Sequence, residues 1–91
     1  MSASDYKAHV ASLGCIMRRL GEGAVCRGRV TLHHPREGQG IAQRASDWLV
    51  IGLCEEHHQG AFGIHEGRAF TRRTKLDEMD LLAETIKASW E

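Results

Sequence analysis

The chain has 91 residues, of which two are Trp, one Tyr, two Phe and three Cys; that is enough for one domain with a thin apolar core, and domains this small usually need a staple. Three cysteines exclude a fully paired disulfide framework. Neither an apolar run near the roughly 18 residues of a membrane span nor a signal-peptide pattern is present, so a cytoplasmic protein with no membrane partner is expected. Net charge is zero, but Arg18 to Lys75 holds ten basic and six acidic residues, and Asp77 to Glu91 holds five acidic and one basic, an asymmetry that suits a polyanionic substrate.

In chain order, Ser4 to Leu13 reads as a helix capped by Ser4 and stopped by Gly14, with Tyr6, Val10 and Leu13 on one face. His9 on it reads as structural or surface. Gly21 to Gly28 is turn-rich. Arg29 to His33 is a short strand closed by His34-Pro35. Arg36 to Arg44 is a loop rich in glycine and charge. Trp48 to Leu53, WLVIGL, is the most strand-like run. Cys54 to Gln59 fits a helical turn or two ended by Gly60, and a glycine-marked loop then carries His65. Arg68 to Arg73 reads as helical. Asp77 to Trp90 is the clearest helix, capped by Asp77, with Met79, Leu82, Ala83, Ile86 and Trp90 as its apolar stripe and acidic residues in its first turn. Trp48 and Trp90 are expected in the core. The whole is one α+β domain over residues 1–91, with a motif core of about 14–73 and a C-terminal helix of about 77–90.

The densest chemistry lies in GLCEEHHQG, Gly52 to Gly60. Cys54 and His57, spaced i, i+3 at a helix start, can reach one ion. Tetrahedral zinc needs two more ligands, and Cys15 and Cys26 are the remaining thiols. The set Cys15, Cys26, Cys54 and His57 would close a Cys₃His structural site; the plainer alternative makes Cys15 and Cys26 small buried apolar residues. If His57 turns to that site, His58 points about 100° away around the helix and serves another. His33 and His34 pose the same problem at a strand end, where successive side chains point to opposite faces. One of them can ligate a metal while the other faces a substrate.

At these residues the chain resembles the HNH nucleases, the ββα-metal or His-Me finger group. VTLHHP, SDWLVIGLC and LCEEHH match the family pattern in order and rough spacing. The run from HHPREGQGIAQRASDW through LCEEHH to GIHEGRAF, with LLAET near the C-terminus, is most similar to the phage Ref-type recombination-enhancement nucleases. The resemblance covers about Gly14 to Thr85. It implies a small zinc-stapled ββα-metal domain with flanking N- and C-terminal helices. It implies His33, His58 and His65 as catalytic-metal ligands, His34 as general base, and Cys54 and His57 as half of the structural zinc knuckle. Two positions depart from the pattern. Arg18 stands where the knuckle usually has its second Cys, so Cys26 is expected to substitute. The usual Asn position holds Asp47, or else Ser46.

The resemblance implies hydrolysis of DNA phosphodiesters with Mg²⁺ or another divalent metal, alongside structural Zn²⁺. Neutral imidazole is a suitable base at cellular pH. Imidazole ligands suit zinc, nickel or manganese better than magnesium. Arg44 is the expected phosphate clamp, with Arg36 and Gln43 nearby and Arg72, Arg73 and Lys75 gripping the DNA backbone further out. The family association with recombination implies a recombinase filament as partner. The chain has no long basic arm, so a homodimer is also open. The rival reading is a non-catalytic zinc-binding DNA-binding or adaptor module, which leaves His33, His34, His58 and His65 without a role.

Overall fold

The computed structural model describes residues 1–36 and 46–91; Gln43 and Arg44 lie outside the described residues. Among the described residues, five helices pack about one two-stranded sheet: α1 Ala3–Ser12, α2 Ile16–Arg19, β1 Val30–His33, β2 Ile51–Cys54, α3 Glu55–His58, α4 Arg68–Thr74 and α5 Glu78–Ser89. Single 3₁₀ turns at Gly23–Val25 and Ile64–Glu66 complete the list.

Helix α1 starts earlier than the sequence suggests, because Ser2, not Ser4, is its cap. Ser2 Oγ accepts from Asp5 N–H while the Asp5 carboxylate accepts from Ser2 N–H, which satisfies two of the orphan donors of a helix start. Gly14, at φ +86°, turns the chain out of the helix, a conformation glycine adopts without a Cβ penalty. The short α2 was not foreseen. A four-residue helix has no period to read, yet it places Ile16 and Met17 in the core.

The strands pair antiparallel, with Val30 opposite Cys54, Thr31 opposite Leu53, Leu32 opposite Gly52 and His33 opposite Ile51. Alternation then puts Thr31, His33, Ile51 and Leu53 on one face and Val30, Leu32, Gly52 and Cys54 on the other. The second face meets α1. A Cβ at Gly52 would lie 3.0 Å from the Gly14 carbonyl oxygen and 3.3 Å from that of Val10, so glycine lets backbone approach backbone there. The predicted strand at Trp48–Leu53 begins only at Ile51. Ser46 turns the chain first, its carbonyl accepting from Leu49 N–H and its hydroxyl from Trp48 N–H.

Met17, Ile51, Leu53, Phe70 and Leu81 form the centre of the core, together with Cys15 and Cys54. Helix α5 begins as expected at an Asp77 cap, which shares a capping box with Asp80. Its buried face is a correction to the expected stripe. Leu81, Leu82, Thr85 and Ala88 are buried, whereas Met79, Ile86 and Trp90 are exposed at 51, 38 and 86%. Trp48 is also no core residue; it is 46% exposed and lies against the Tyr6 ring with centroids 5.5 Å apart. His9 is structural, its Nε2 lying 3.2 Å from the Ser89 carbonyl oxygen and so joining α1 to the end of α5.

Candidate metal centres

Among the described residues, two groups of side chains could hold a metal ion, and α3 contributes to both. The first is Cys15, Cys26, Cys54 and His57, whose ligand atoms all lie within 4.8 Å of one another. Cys15 comes from the turn before α2, Cys26 from the segment leading to β1, and Cys54 from the end of β2, where its sulfur also accepts from the His57 N–H at 3.4 Å. His57 Nδ1 faces all three sulfurs, at 3.6 Å from Cys15, 3.5 Å from Cys26 and 3.3 Å from Cys54. Tetrahedral zinc, with bonds of about 2.3 Å to sulfur and 2.0 Å to nitrogen, requires S···N edges of about 3.5 Å. The donor set therefore fits zinc in type and spacing, and all three cysteines are free of disulfides.

The thiols are unequal. Burial pushes Cys54 up, but hydrogen bonds from the His57 and Arg27 backbone and from the His57 ring outweigh it and bring it down to about 6. Burial and then the neighbouring Cys15 thiol push Cys26 up to about 12, and burial raises Cys15 as well. A cation is what would let all three ionise together.

Beyond the ligands, His57 Nε2 is fully buried and has no hydrogen bond. The atom it faces is Glu22 Oε1, at 3.5 Å, slightly too far for a formed bond. Arg73 holds that carboxylate in place through its guanidinium, and chiefly for this reason Glu22 sits below the usual carboxylate range. The same guanidinium donates to the Phe62 carbonyl at 2.9 Å and lies over the Phe62 ring at 4.9 Å. Arg73, expected from sequence to grip DNA, is exposed on α4 and paired there with Glu22.

The second group is His33, His58 and His65. Strand β1 supplies His33, α3 supplies His58 and the 3₁₀ turn at Ile64–Glu66 supplies His65. Their ring centroids are 4.9 to 5.2 Å apart. His33 Nδ1 lies 3.2 Å from His58 Nε2, near the N···N edge of about 3.3 Å that a shared tetrahedral ion imposes. The second ring nitrogens of His58 and His33 are occupied from behind. Thr31 Oγ1 is 2.8 Å from His58 Nδ1, and Glu78 Oε2, in the first turn of α5, is 2.5 Å from His33 Nε2. Carboxylate or hydroxyl partners of this kind fix which nitrogen a ligating histidine offers. Burial first, then His33 and His65, holds His58 down to about 4. Burial, His33 and Arg36 lower His65. Both shifts favour the neutral ring, the form that binds metal.

His34 turns the other way from His33, as strand alternation requires. Its Nε2 is 2.9 Å from Asp47 Oδ1, and Asp47 Oδ2 pairs with Lys7 of α1 at 3.6 Å. The Nδ1 atom of His34 has no hydrogen bond among the described residues. Arg36 donates its backbone N–H to both Glu78 oxygens, at 2.9 and 3.1 Å. Its exposed side chain lines a cavity of about 300 Å³ with His33, His65, Thr71 and Glu78. Arg72 and Lys75 are exposed on α4 and at its left-handed end.

Sequence reasoning missed Glu22, Glu78, Thr31 and Lys7. Glu78 was legible only as an acid in a helix first turn. Glu22 stands between two of the thiols, which is its only sequence signal. Compared with known proteins, the chain matches no family model, no curated protein and no solved structure.

Proposed function

We propose that the chain is a metal-dependent endonuclease of the HNH, or ββα-metal, type that hydrolyses DNA phosphodiester bonds. What supports this is the division of the pair His33–His34: one ring joins two other histidines in a group that could hold a metal, and the other pairs with a carboxylate and keeps Nδ1 available. The order hairpin then helix, with His33 and His58 on facing elements, agrees with that reading.

His34 acts as the base. Its Nδ1 takes a proton from water while Nε2–H donates to Asp47, which holds the tautomer and stabilises the imidazolium that forms. Asp47 thus fills the place the family gives to Asn. His33, His58 and His65 would hold a divalent ion, which would supply stabilisation of charge on the phosphate and the leaving oxygen. Glu78 accepts from His33 Nε2–H and keeps Nδ1 turned toward His58. Arg36, at the cavity beside His33 and His65, meets a phosphate, and Arg72 and Lys75 meet the backbone further away without reading sequence. The thiolate group, loaded with zinc, staples the domain so that these side chains stay in register. The similarity to Ref-type nucleases extends the proposal to phage DNA recombination or processing, with a recombinase filament as partner.

Plasmid nicking with magnesium, manganese, nickel and zinc tests it. The expected result is nicking with at least one of these metals and none after chelation. Binding of DNA without cleavage under every metal would assign the chain to the rival class, a non-catalytic zinc-binding module.

A further inference from the structure

Helix α5 has two apolar faces, and among the described residues only one of them is covered. Leu81, Leu82, Thr85 and Ala88 pack inward. Met79, Ala83, Ile86 and Trp90 remain exposed. At about 100° per residue these four fall within an arc of about 60°. Their spacing of four, three and four residues is that of alternating d and a positions in a heptad seam. The exposed face runs on to a cavity of about 400 Å³ between α1 and α5, walled by Tyr6, Trp48, Ile86 and Trp90. Three of the chain's few aromatic rings thus meet beside one uncovered helix face, the kind of patch that marks an interaction site.

We propose that this face binds the same face of a second copy of the chain, the two α5 helices running antiparallel about a two-fold axis. The four-three-four spacing reads the same in both directions, so an antiparallel pair brings every seam residue into register. Met79 then lies against Trp90 of the second copy, and Ala83 against Ile86, small against large at the centre. A parallel pair would instead set Trp90 on Trp90 and Ala83 on Ala83, a crowded layer beside a void.

Charge selects the same arrangement. Asp80 and Lys87 flank the seam on one side, both directly after a d position. Antiparallel packing brings Asp80 of one copy beside Lys87 of the other, twice by symmetry; parallel packing gives neither an opposite charge across the seam. Lys87 has no ion-pair partner of its own among the described residues. Met79 of the second copy, placed against Trp90, closes the mouth of the aromatic cavity. The seam is three turns long and below the size of a standard stable interface, so the dimer is weak and concentration-dependent. This surface is independent of the nuclease reading.

Sedimentation equilibrium of the zinc-loaded full chain, from micromolar to millimolar concentration, tests the proposal. The wild type is expected to show a monomer–dimer equilibrium. Ile86→Glu should weaken it by about a hundredfold or more, and Lys87→Glu by about tenfold. Both positions are exposed, so circular dichroism and zinc content should stay as in the wild type. A wild type that remains monomeric throughout overturns the dimer, as does an Ile86→Glu variant that dimerises normally. A Lys87→Glu variant of unchanged affinity overturns the antiparallel arrangement. A monomer whose tryptophan emission shifts on adding a single-stranded oligonucleotide assigns the face to nucleobases and likewise overturns it.

Discussion

Adjacent histidines in this chain serve different sites, and the reason is local geometry. His57 and His58 differ by one step around α3, so one ring meets three sulfurs and the other meets two imidazoles. His33 and His34 differ by one step along β1, so one faces His58 and the other Asp47. Sequence spacing carried both divisions. It could not carry the carboxylates behind them, because the positions of Glu22 and Glu78 depend on α4 and α5 folding back. Glu22 offers the sharpest test at this scale. It is the only acceptor that the buried His57 Nε2 faces among the described residues. Removing such a partner typically lowers metal affinity by about 10- to 100-fold. Glu22→Ala should therefore release zinc at correspondingly lower chelator concentration, measured by competition with a chromophoric chelator, while far-UV circular dichroism of the loaded protein is unchanged.

At the scale of elements, the connections position the sites as much as the helices do. Gly63 lies at the bend that returns the chain from α3 to His65. A Cβ there would sit 2.6 Å from the His58 carbonyl oxygen and 2.8 Å from its carbon, distances that force backbone to move. Overpacking of this kind costs about 1–3 kcal/mol. Gly63→Ala is expected to lower stability by that amount in urea denaturation and to weaken metal binding at the three-histidine group, with the thiolate group unaffected. Much of the element order was legible. Asp77 marked its helix start through capping chemistry, and Gly14 marked the end of α1 through its freedom to take positive φ. The stripe on α5 was misassigned because the helix has two apolar faces, and periodicity alone cannot say which of them the chain itself buries. The strand start was misplaced because Trp48 and Leu49 have strand-like side chains while Ser46 holds their backbone in a turn. Helix α2 was missed because one turn has no period.

For the whole molecule, the Cys₃His group joins segments far apart in sequence: the turn before α2, the approach to β1 and the end of β2. With so few aromatic side chains the core alone offers little reserve, so zinc bound there contributes directly to folding free energy. Cys54→Ala, or chelation of the wild type, is expected to abolish the cooperative thermal transition, as read by circular dichroism; a variant that melts normally would remove the staple from the account. The histidine group is not expected to matter in the same way, since its His58 is only half-buried and its His65 is exposed. The molecule thus separates a Cys₃His group that could hold one ion from a three-histidine group that could hold another, with α3 as the short element common to both. The most direct test of that separation is the plasmid cleavage rate of His34→Ala measured beside its zinc content and melting temperature. Cleavage should vanish while zinc content and melting temperature stay at wild-type values; cleavage at the wild-type rate would contradict the assignment of His34 as the base.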